Sequence, residues 1–471
     1  MAWSSACSRR SPELVMRLAW VSPLPPASSG IADYTATLLP RLSERHDLEL
    51  FYEGGPPPSA AIAERWRCSP VRELPSAASR FDLVVYQIGN SAPHHAESYH
   101  MALELPGVVV LHEFMLHHLV RGVTLARGDA AGYVEQMRYA AGRSGEMAAR
   151  RLLDTHYPVD TWNFPLFERL VDRSRGVLVH NEFARRRVLE SRPLAAVGVV
   201  PMPVETVELV PPQTAEQQEL KSRFGLDPDS FLVASFGFVT PHKRMEVALP
   251  AFARLRESHP RASFAIVGEV SPHYDLDAVL GRFGDAGVRV EGRTDAATFD
   301  AWMRACDVAV NLRHPNGGET SASFVRLLAL GRPTIVNQTG AFAEVPEGAC
   351  LHLPLDGFEE STLVAYLRAL ADREPLRAGI AAQARSFCVE RHGVEDAARA
   401  YFERLDVAAG SPLPASVAVP PLAPFPATDP WPALLGVLGG ELADLGLGES
   451  DEGVLEALAC RLHELGPDDR P

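Results

Sequence analysis

Asn311-Leu-Arg-His-Pro-Asn-Gly-Gly-Glu-Thr-Ser-Ala-Ser-Phe-Val-Arg-Leu-Leu-Ala-Leu-Gly-Arg-Pro-Thr-Ile-Val336 reads as a strand ending near Leu312, a glycine-bearing loop, a helix and a second strand. The spacing predicts a helix over Ser321 to Leu330 with Phe324, Leu327 and Leu328 on one face. Strand, loop, helix, strand is the repeating unit of a parallel sheet covered by helices. The helix start offers unpaired backbone N–H groups and a partial positive charge to an anion. Glu319 can accept from sugar hydroxyls, and Arg313 at the strand end can grip phosphate with two parallel donors. Thr320, Ser321 and Ser323 are also ordinary N-cap residues, so the stretch alone is equally an ordinary capped helix.

The same alternation extends in both directions, and the fold class it gives is α/β, with two doubly wound, Rossmann-like domains. One series of strands comprises Val15 to Ser22, Leu48 to Tyr52, Asp82 to Ile88, Gly107 to Leu111, Gly176 to His180 and Ala196 to Val200. It ends in the proline-rich segment Pro201 to Pro212. The other comprises Phe231 to Phe238, Ser263 to Val267, Val288 to Glu291, Asp307 to Leu312, Pro333 to Asn337 and Cys350 to Leu353, with an amphipathic helix at Glu246 to Glu257. These runs give domains at 14–205 and 206–392. Eight prolines between Ser411 and Pro432 exclude a helix or central strand there, so 407–432 is expected to be a linker. Residues 433–471 are expected to form a small helical appendage, and 407–471 carry a charge of −8. This acidic tail is either a solvated end or a docking element for a protein partner.

The chain has 471 residues, 46% of them hydrophobic, enough for two sizeable cores. Its formal charge of −15 argues against nucleic acid as a partner. The six cysteines are dispersed, with no C-x-x-C pair, which suits a reducing, cytoplasmic setting. Leu14 to Val21 is short and interrupted by Arg17, so neither an export signal nor a membrane span is expected, and residues 1–13 are read as disordered. There is no P-loop and no dinucleotide fingerprint. His112, His117 and His118 are misplaced for a zinc helix, and Asp275 and Asp277 read as helix-start carboxylates, so no metal is assigned.

Ser235-Phe-Gly-Phe-Val-Thr-Pro-His-Lys-Arg244 leaves a strand, turns through Gly237 and brings Lys243 to the carboxyl edge of the sheet, where open α/β sheets bind ligands. Lys243, Arg313 and the Thr320 helix start can thus converge on one diphosphate. Three further stretches complete an ordered set: Pro23-Leu-Pro-Pro-Ala-Ser-Ser-Gly-Ile-Ala-Asp-Tyr34, Val108-Val-Val-Leu-His-Glu113 and Leu178-Val-His-Asn-Glu-Phe-Ala-Arg185. Together with Gly318-Glu-Thr-Ser-Ala-Ser323 and Ala329-Leu-Gly-Arg-Pro333, these resemble the GT-B glycosyltransferases of family 4, over about residues 16–406.

That resemblance implies two facing Rossmann-like domains, a helix at 393–406 returning to the first domain, and sugar transfer from a nucleotide donor with retention and without a metal or other cofactor. It implies a donor site of Gly30, Gly237, Lys243, Arg244, Arg313, Gly318, Glu319, Thr320, Ser321 and Arg326, with His112, Lys243 and Glu319 catalytic. Asp33, Tyr34, Glu113 and His180 fall on the acceptor side, although a strand-terminal histidine such as His180 is more often structural. Glu113 either orients His112 or is a satisfied strand-end carboxylate. The chain departs from the commonest family pattern. Gly318 and Arg326 stand where two glutamates eight apart are usual, with Glu319 one position off, and the motif looks like that of a G-E-T-S-x-S subgroup. Phe238 stands where an arginine is common, and Arg313, Arg244 or Arg326 would compensate.

A glycan or lipid-linked acceptor in bacterial polysaccharide synthesis follows from the resemblance. The basic side chains Arg150, Arg151 and Arg185 to Arg187 suggest either peripheral contact with anionic lipid at the inner membrane face or a solvated helix surface. The alternatives are an epimerase or phosphorylase on the same architecture, and a catalytically silent sugar-nucleotide-binding scaffold.

Overall fold

The computed structural model describes residues 15–53, 56–283 and 286–411. The expected segments at 1–13 and 433–471, and all but the first few residues of 407–432, lie outside them. Strands β1 (Arg17–Val21), β2 (Asp47–Tyr52), β3 (Arg67–Pro70), β4 (Leu83–Ile88), β5 (Val108–Leu111), β6 (Gly176–Val179) and β7 (Val197–Val199) form one sheet. Their order is β3-β2-β1-β4-β5-β6-β7, with every pair parallel. Strands β8 (Leu232–Phe236), β9 (Ser263–Val267), β10 (Val288–Gly292), β11 (Val308–Val310), β12 (Thr334–Asn337) and β13 (Leu351–Leu353) form the other, also parallel, in the order β10-β9-β8-β11-β12-β13.

Both orders reverse at one place, between β1 and β4 in the first sheet and between β8 and β11 in the second. At such a switch point the loops leaving the two strands diverge to opposite faces, and a crevice opens at the strands' carboxyl ends. Continuous apolar runs suit strands covered on both faces: all four residues of β5 are buried, as are all five of β8. One strand, β3, was not expected. Its sequence Arg67-Cys-Ser-Pro70 has no apolar alternation, because it lies at the sheet edge and pairs with β2 alone.

The chain crosses between the domains near Val204, which bridges to Gly393, and Val204 N–H donates to the His392 carbonyl at 2.8 Å. The return helix runs Val394–Ala409, three residues beyond the expected end at 406. It is pinned to the first domain by Arg45 on Asp406 at 2.6 Å, Arg41 on Glu395 at 2.9 Å, and a 2.6 Å hydrogen bond between the Tyr34 and Tyr401 hydroxyls. Among the described residues no helix is long and apolar enough to cross a membrane. The arginines considered for lipid contact have partners within the protein: Arg150 on Glu146, Arg185 on Glu182, Arg186 on Glu344, Arg187 on Glu190, and Arg151 over the Tyr157 ring.

Candidate active site

A cleft of about 710 Å³ lies between the carboxyl edges of the two sheets, within the size range of small-ligand sites. All four switch-point loops line it: Ser29 to Ile31 after β1, Gly89 to Ser91 after β4, Phe238 to Lys243 after β8, and Arg313 to Ala322 after β11. The loop after β5 adds His112, Glu113 and Met115.

Lys243 ends a short 3-10 turn, Pro241–Lys243, and its buried side chain folds back over the end of β8. Its ammonium donates to the Phe236 carbonyl at 2.7 Å and to Asn311 Oδ1 at 3.2 Å. Gly237 permits the tight exit with φ +92°, and the glycine at 268 lets the neighbouring loop cross the Gly237 carbonyl, where a side chain would collide. Burial, and then the like charge of Arg313, push Lys243 well below the usual lysine range, while Glu319 opposes the shift. An anion beside the ammonium would counter both effects.

Arg313 is fixed by its backbone N–H on Asn337 Oδ1 at 2.9 Å, and its guanidinium donates to Glu319 Oε1 at 2.7 Å. The other Glu319 oxygen accepts from Gly317 N–H at 2.8 Å. Ser321 caps the Ala322–Ala329 helix, accepting from Phe324 N–H at 3.3 Å, so the expected start is correct within a residue. Lys243, Arg313, Glu319, Thr320 and Ser321 thus share the cleft, and Gly30 faces them from the first domain.

On the first domain's side, His112 is nearly buried. Its Nε2 lies 2.8 Å from the Gln87 side-chain amide, and its Nδ1 is 3.3 Å from His180 Nε2. His180 Nδ1 donates to the Val200 carbonyl at 3.1 Å, so in the neutral ring its Nε2 carries no proton. Burial keeps both rings neutral, with His180 pushed down to about 4 and His112 well below its ordinary value. Tyr34 packs edge-on against His112 at 4.7 Å, with its hydroxyl on Tyr401.

These contacts correct several expectations. Tyr34 and His180 are supports behind His112, not acceptor contacts, because their polar atoms are already paired inside the protein. Glu113 does not orient His112. Its Oε1 accepts from Asn90 N–H at 3.2 Å, and burial followed by repulsion from Glu319 pushes its carboxyl up to about 8, so it is protonated at neutral pH. Arg244 turns away to Glu359 at 2.6 Å, and Arg326 to Asp300 at 3.1 Å, and of the three candidate arginines Arg313 is the one that lines the cleft. Asp33, on the first helical turn, does not line the cleft; burial raises its carboxyl, and the charge of Arg326 across the domain boundary opposes that rise. Gly237 shapes its turn without lining the cleft.

Gly318 is likewise a packing residue. Its N–H donates to Asn316 Oδ1 at 2.8 Å and its carbonyl accepts from Asn181 Nδ2 at 2.8 Å. Asn181 also donates to Thr320 Oγ1 at 3.0 Å, and Phe114 N–H donates to the Gly317 carbonyl at 2.9 Å, so the Gly317-Gly318 loop ties the domains together. Sequence reasoning missed Asn90, His118, Trp162 and His242, all of which line the cleft. Asn90 follows a switch-point strand, a signal visible once strand order is known. Trp162 lies in an irregular stretch and carries none. His117 is structural, with Nδ1 on the Phe164 carbonyl at 2.6 Å and Nε2 on the Tyr133 hydroxyl at 2.9 Å. Asp275 caps its helix by accepting from Ala278 N–H at 2.9 Å, as expected. Among the described residues no three His, Cys, Asp or Glu side chains are grouped to hold a metal ion.

Residues 230–372 match the family model of glycosyl transferases group 1. This group 1 segment holds Lys243, Arg313, Glu319 and the capped helix. No curated protein matches the chain by sequence. Among solved structures, Alr3699/HepE of Anabaena in complex with UDP superposes with a TM-score of 0.60 at 15% identity, covering 83% of this chain and 100% of that one. Sucrose-phosphate synthase of Thermosynechococcus elongatus gives 0.60 at 14% identity, covering 83% and 99%. A glycosyltransferase of Rickettsia africae gives 0.58 at 12%, covering 84% and 98%. At such identities the likeness establishes the fold alone, the two-domain GT-B arrangement on both sides of the cleft.

Proposed function

We propose that the protein transfers a glycosyl group from a nucleoside diphosphate sugar to a glycan or lipid-linked acceptor, with retention of configuration and without a metal ion, in bacterial surface polysaccharide synthesis at the cytoplasmic side. The observation that carries this reading is the convergence of the Lys243 ammonium, the Arg313 guanidinium and the capped helix start at the switch point of the group 1 domain. The UDP complex of the Anabaena structure supports a nucleotide in such a cleft.

Breaking the bond between sugar and diphosphate develops negative charge on the leaving oxygen. Fixed cations there stabilise the transition state more than the ground state. A diphosphate reaching Lys243 supplies the counter-charge its buried site lacks. Competing for Arg313, the phosphate frees Glu319 to accept from the donor sugar's hydroxyls. The neutral Glu113 carboxyl opposite adds a donor without adding repulsion. Closure by the Gly317-Gly318 tie excludes water and favours transfer over hydrolysis.

The test is a thermal-shift screen of UDP-, GDP-, ADP- and TDP-sugars, followed by turnover with the hits. A ligand at 100 times its dissociation constant stabilises by about 2.7 kcal/mol. Absence of a shift with every nucleotide sugar would refute the reading. Conversion of the donor sugar without an acceptor would favour an epimerase, and binding without turnover on any acceptor would favour a scaffold.

A further inference from the structure

The cleft wall carries two kinds of group. Lys243 and Arg313 are cationic. Trp162, His118, His242 and Asn90 are aromatic or amide groups lining the same cleft. Trp162 comes from the irregular stretch between the helices Ala130–Thr155 and Glu168–Asp172. That stretch is held firmly: Trp162 N–H donates to Asp160 Oδ1 at 3.0 Å, Asn163 Nδ2 donates to Asp160 Oδ2 at 2.7 Å, and the Pro165 carbonyl accepts from Leu116 N–H at 2.8 Å.

The indole meets the His242 ring at 5.3 Å and 82°, an edge-to-face contact that covers at most one of its faces. Trp20 and Trp302, which serve the cores, are fully buried, whereas Trp162 is half-buried at the cleft wall. Burial pushes His118 and His242 below the ordinary histidine value, so both rings are uncharged at neutral pH. Glu319 draws His242 back up and Arg313 pushes it down, which places these rings beside the Arg313–Glu319 pair.

A half-buried indole at the cleft wall, with hydrogen-bonding imidazole and amide groups around it, matches a sugar ring, whose C–H face is apolar and whose rim is hydroxylated. We propose that Trp162 is the stacking platform of an acceptor subsite for a neutral pyranose, flanked by His118, His242 and Asn90. This rests on the glycosyl-transfer reading above. It identifies the acceptor's terminal unit as an uncharged pyranoside and distinguishes it from an anionic phosphate or carboxylate group.

The test is saturation-transfer NMR on the full chain with the methyl pyranosides of glucose, mannose, galactose and N-acetylglucosamine, each with UDP present. Ring-proton signals are expected with the wild-type protein and with Trp162→Phe, and a fall of roughly fivefold or more with Trp162→Ala, while uridine signals stay unchanged. Sugar signals that survive Trp162→Ala would overturn the proposal, as would their absence from the wild type. Joint loss of uridine and sugar signals in Trp162→Ala would also overturn it, since the indole would then stack on a base or latch the domains. Trp162-dependent sugar signals with no uridine signal in any variant would support the pyranose subsite while counting against a uridine nucleotide as donor.

Discussion

Arg313 and Glu319, six residues apart in one loop, are joined by a 2.7 Å ion pair that spans the mouth of the proposed phosphate site. Both side chains are about a quarter exposed, so the pair sits where a ligand can reach it. In the proposed transfer the two groups have opposite tasks, one on phosphate and one on sugar, and each would hold the other until a donor separates them.

Lys243→Ala and Glu319→Ala are therefore expected to differ in kind. Each should lower turnover by roughly two orders of magnitude or more. Lys243→Ala should also weaken nucleoside diphosphate binding, whereas Glu319→Ala, by releasing Arg313, should leave it equal or tighter. Steady-state kinetics with calorimetric titration of the diphosphate separates the two. Unimpaired turnover in both variants would remove these residues from the site.

Glu113 gives a pH prediction with a definite sign. Its folded value of about 8 exceeds the ordinary 4.5, so the folded state holds a proton that the unfolded state releases. Its contribution is fully present below pH 4.5 and is lost as pH rises through 8. Melting temperatures between pH 5 and 9 should show that Glu113→Gln loses less stability towards alkaline pH than the wild type. Parallel curves would sink the assignment.

The paired rings of His112 and His180 predict the opposite limb. Both are depressed by burial, His180 to about 4 against an ordinary 6.5. Their contribution is present above pH 6.5 and is lost as pH falls through 4, because the unfolded chain binds the protons first. His180→Leu should lower Tm at pH 7.5 and narrow the difference from wild type at pH 5. An unchanged gap would mean that the rings are not held neutral.

How much of this was legible in the sequence depended on whether a residue's role was local. The Arg313 to Ser321 loop and the Lys243 turn were readable because strand, glycine turn and capped helix lie within one short stretch. Tyr34 was misassigned because its partner, Tyr401, is 367 residues away. Arg326 and Arg244 bear the right charge at plausible spacing, but Asp300 and Glu359 claim them from other elements, and such competition carries no periodic signal. Gly318 was read as part of a phosphate loop, yet its neighbours Phe114 and Asn181 belong to the other domain.

Arg326 supplies a test of that correction. Its pairing with Asp300 is partly exposed, at 34% and 30% for the two side chains, so removing it should cost no more than about 1 kcal/mol. Arg326→Ala should leave diphosphate affinity within about threefold of wild type, a change of less than 1 kcal/mol. A loss of tenfold or more would return Arg326 to the donor site.

Gly318 ought to be far less tolerant. Its φ of +84° lies where residues with a Cβ are strained, and a Cβ there would overlap the Phe114 ring across the domain boundary. Gly318→Ala must therefore either push Phe114 aside or open the cleft, breaking the bond from Asn181 to the Gly318 carbonyl. Because the cationic groups all lie on one domain, nucleoside diphosphate binding should survive. Transfer to the acceptor should fall by at least tenfold and hydrolysis of the donor should rise relative to transfer, since water would enter. Measuring both products from one labelled donor decides the matter. An unchanged ratio would show that the Gly317-Gly318 tie has no part in excluding water.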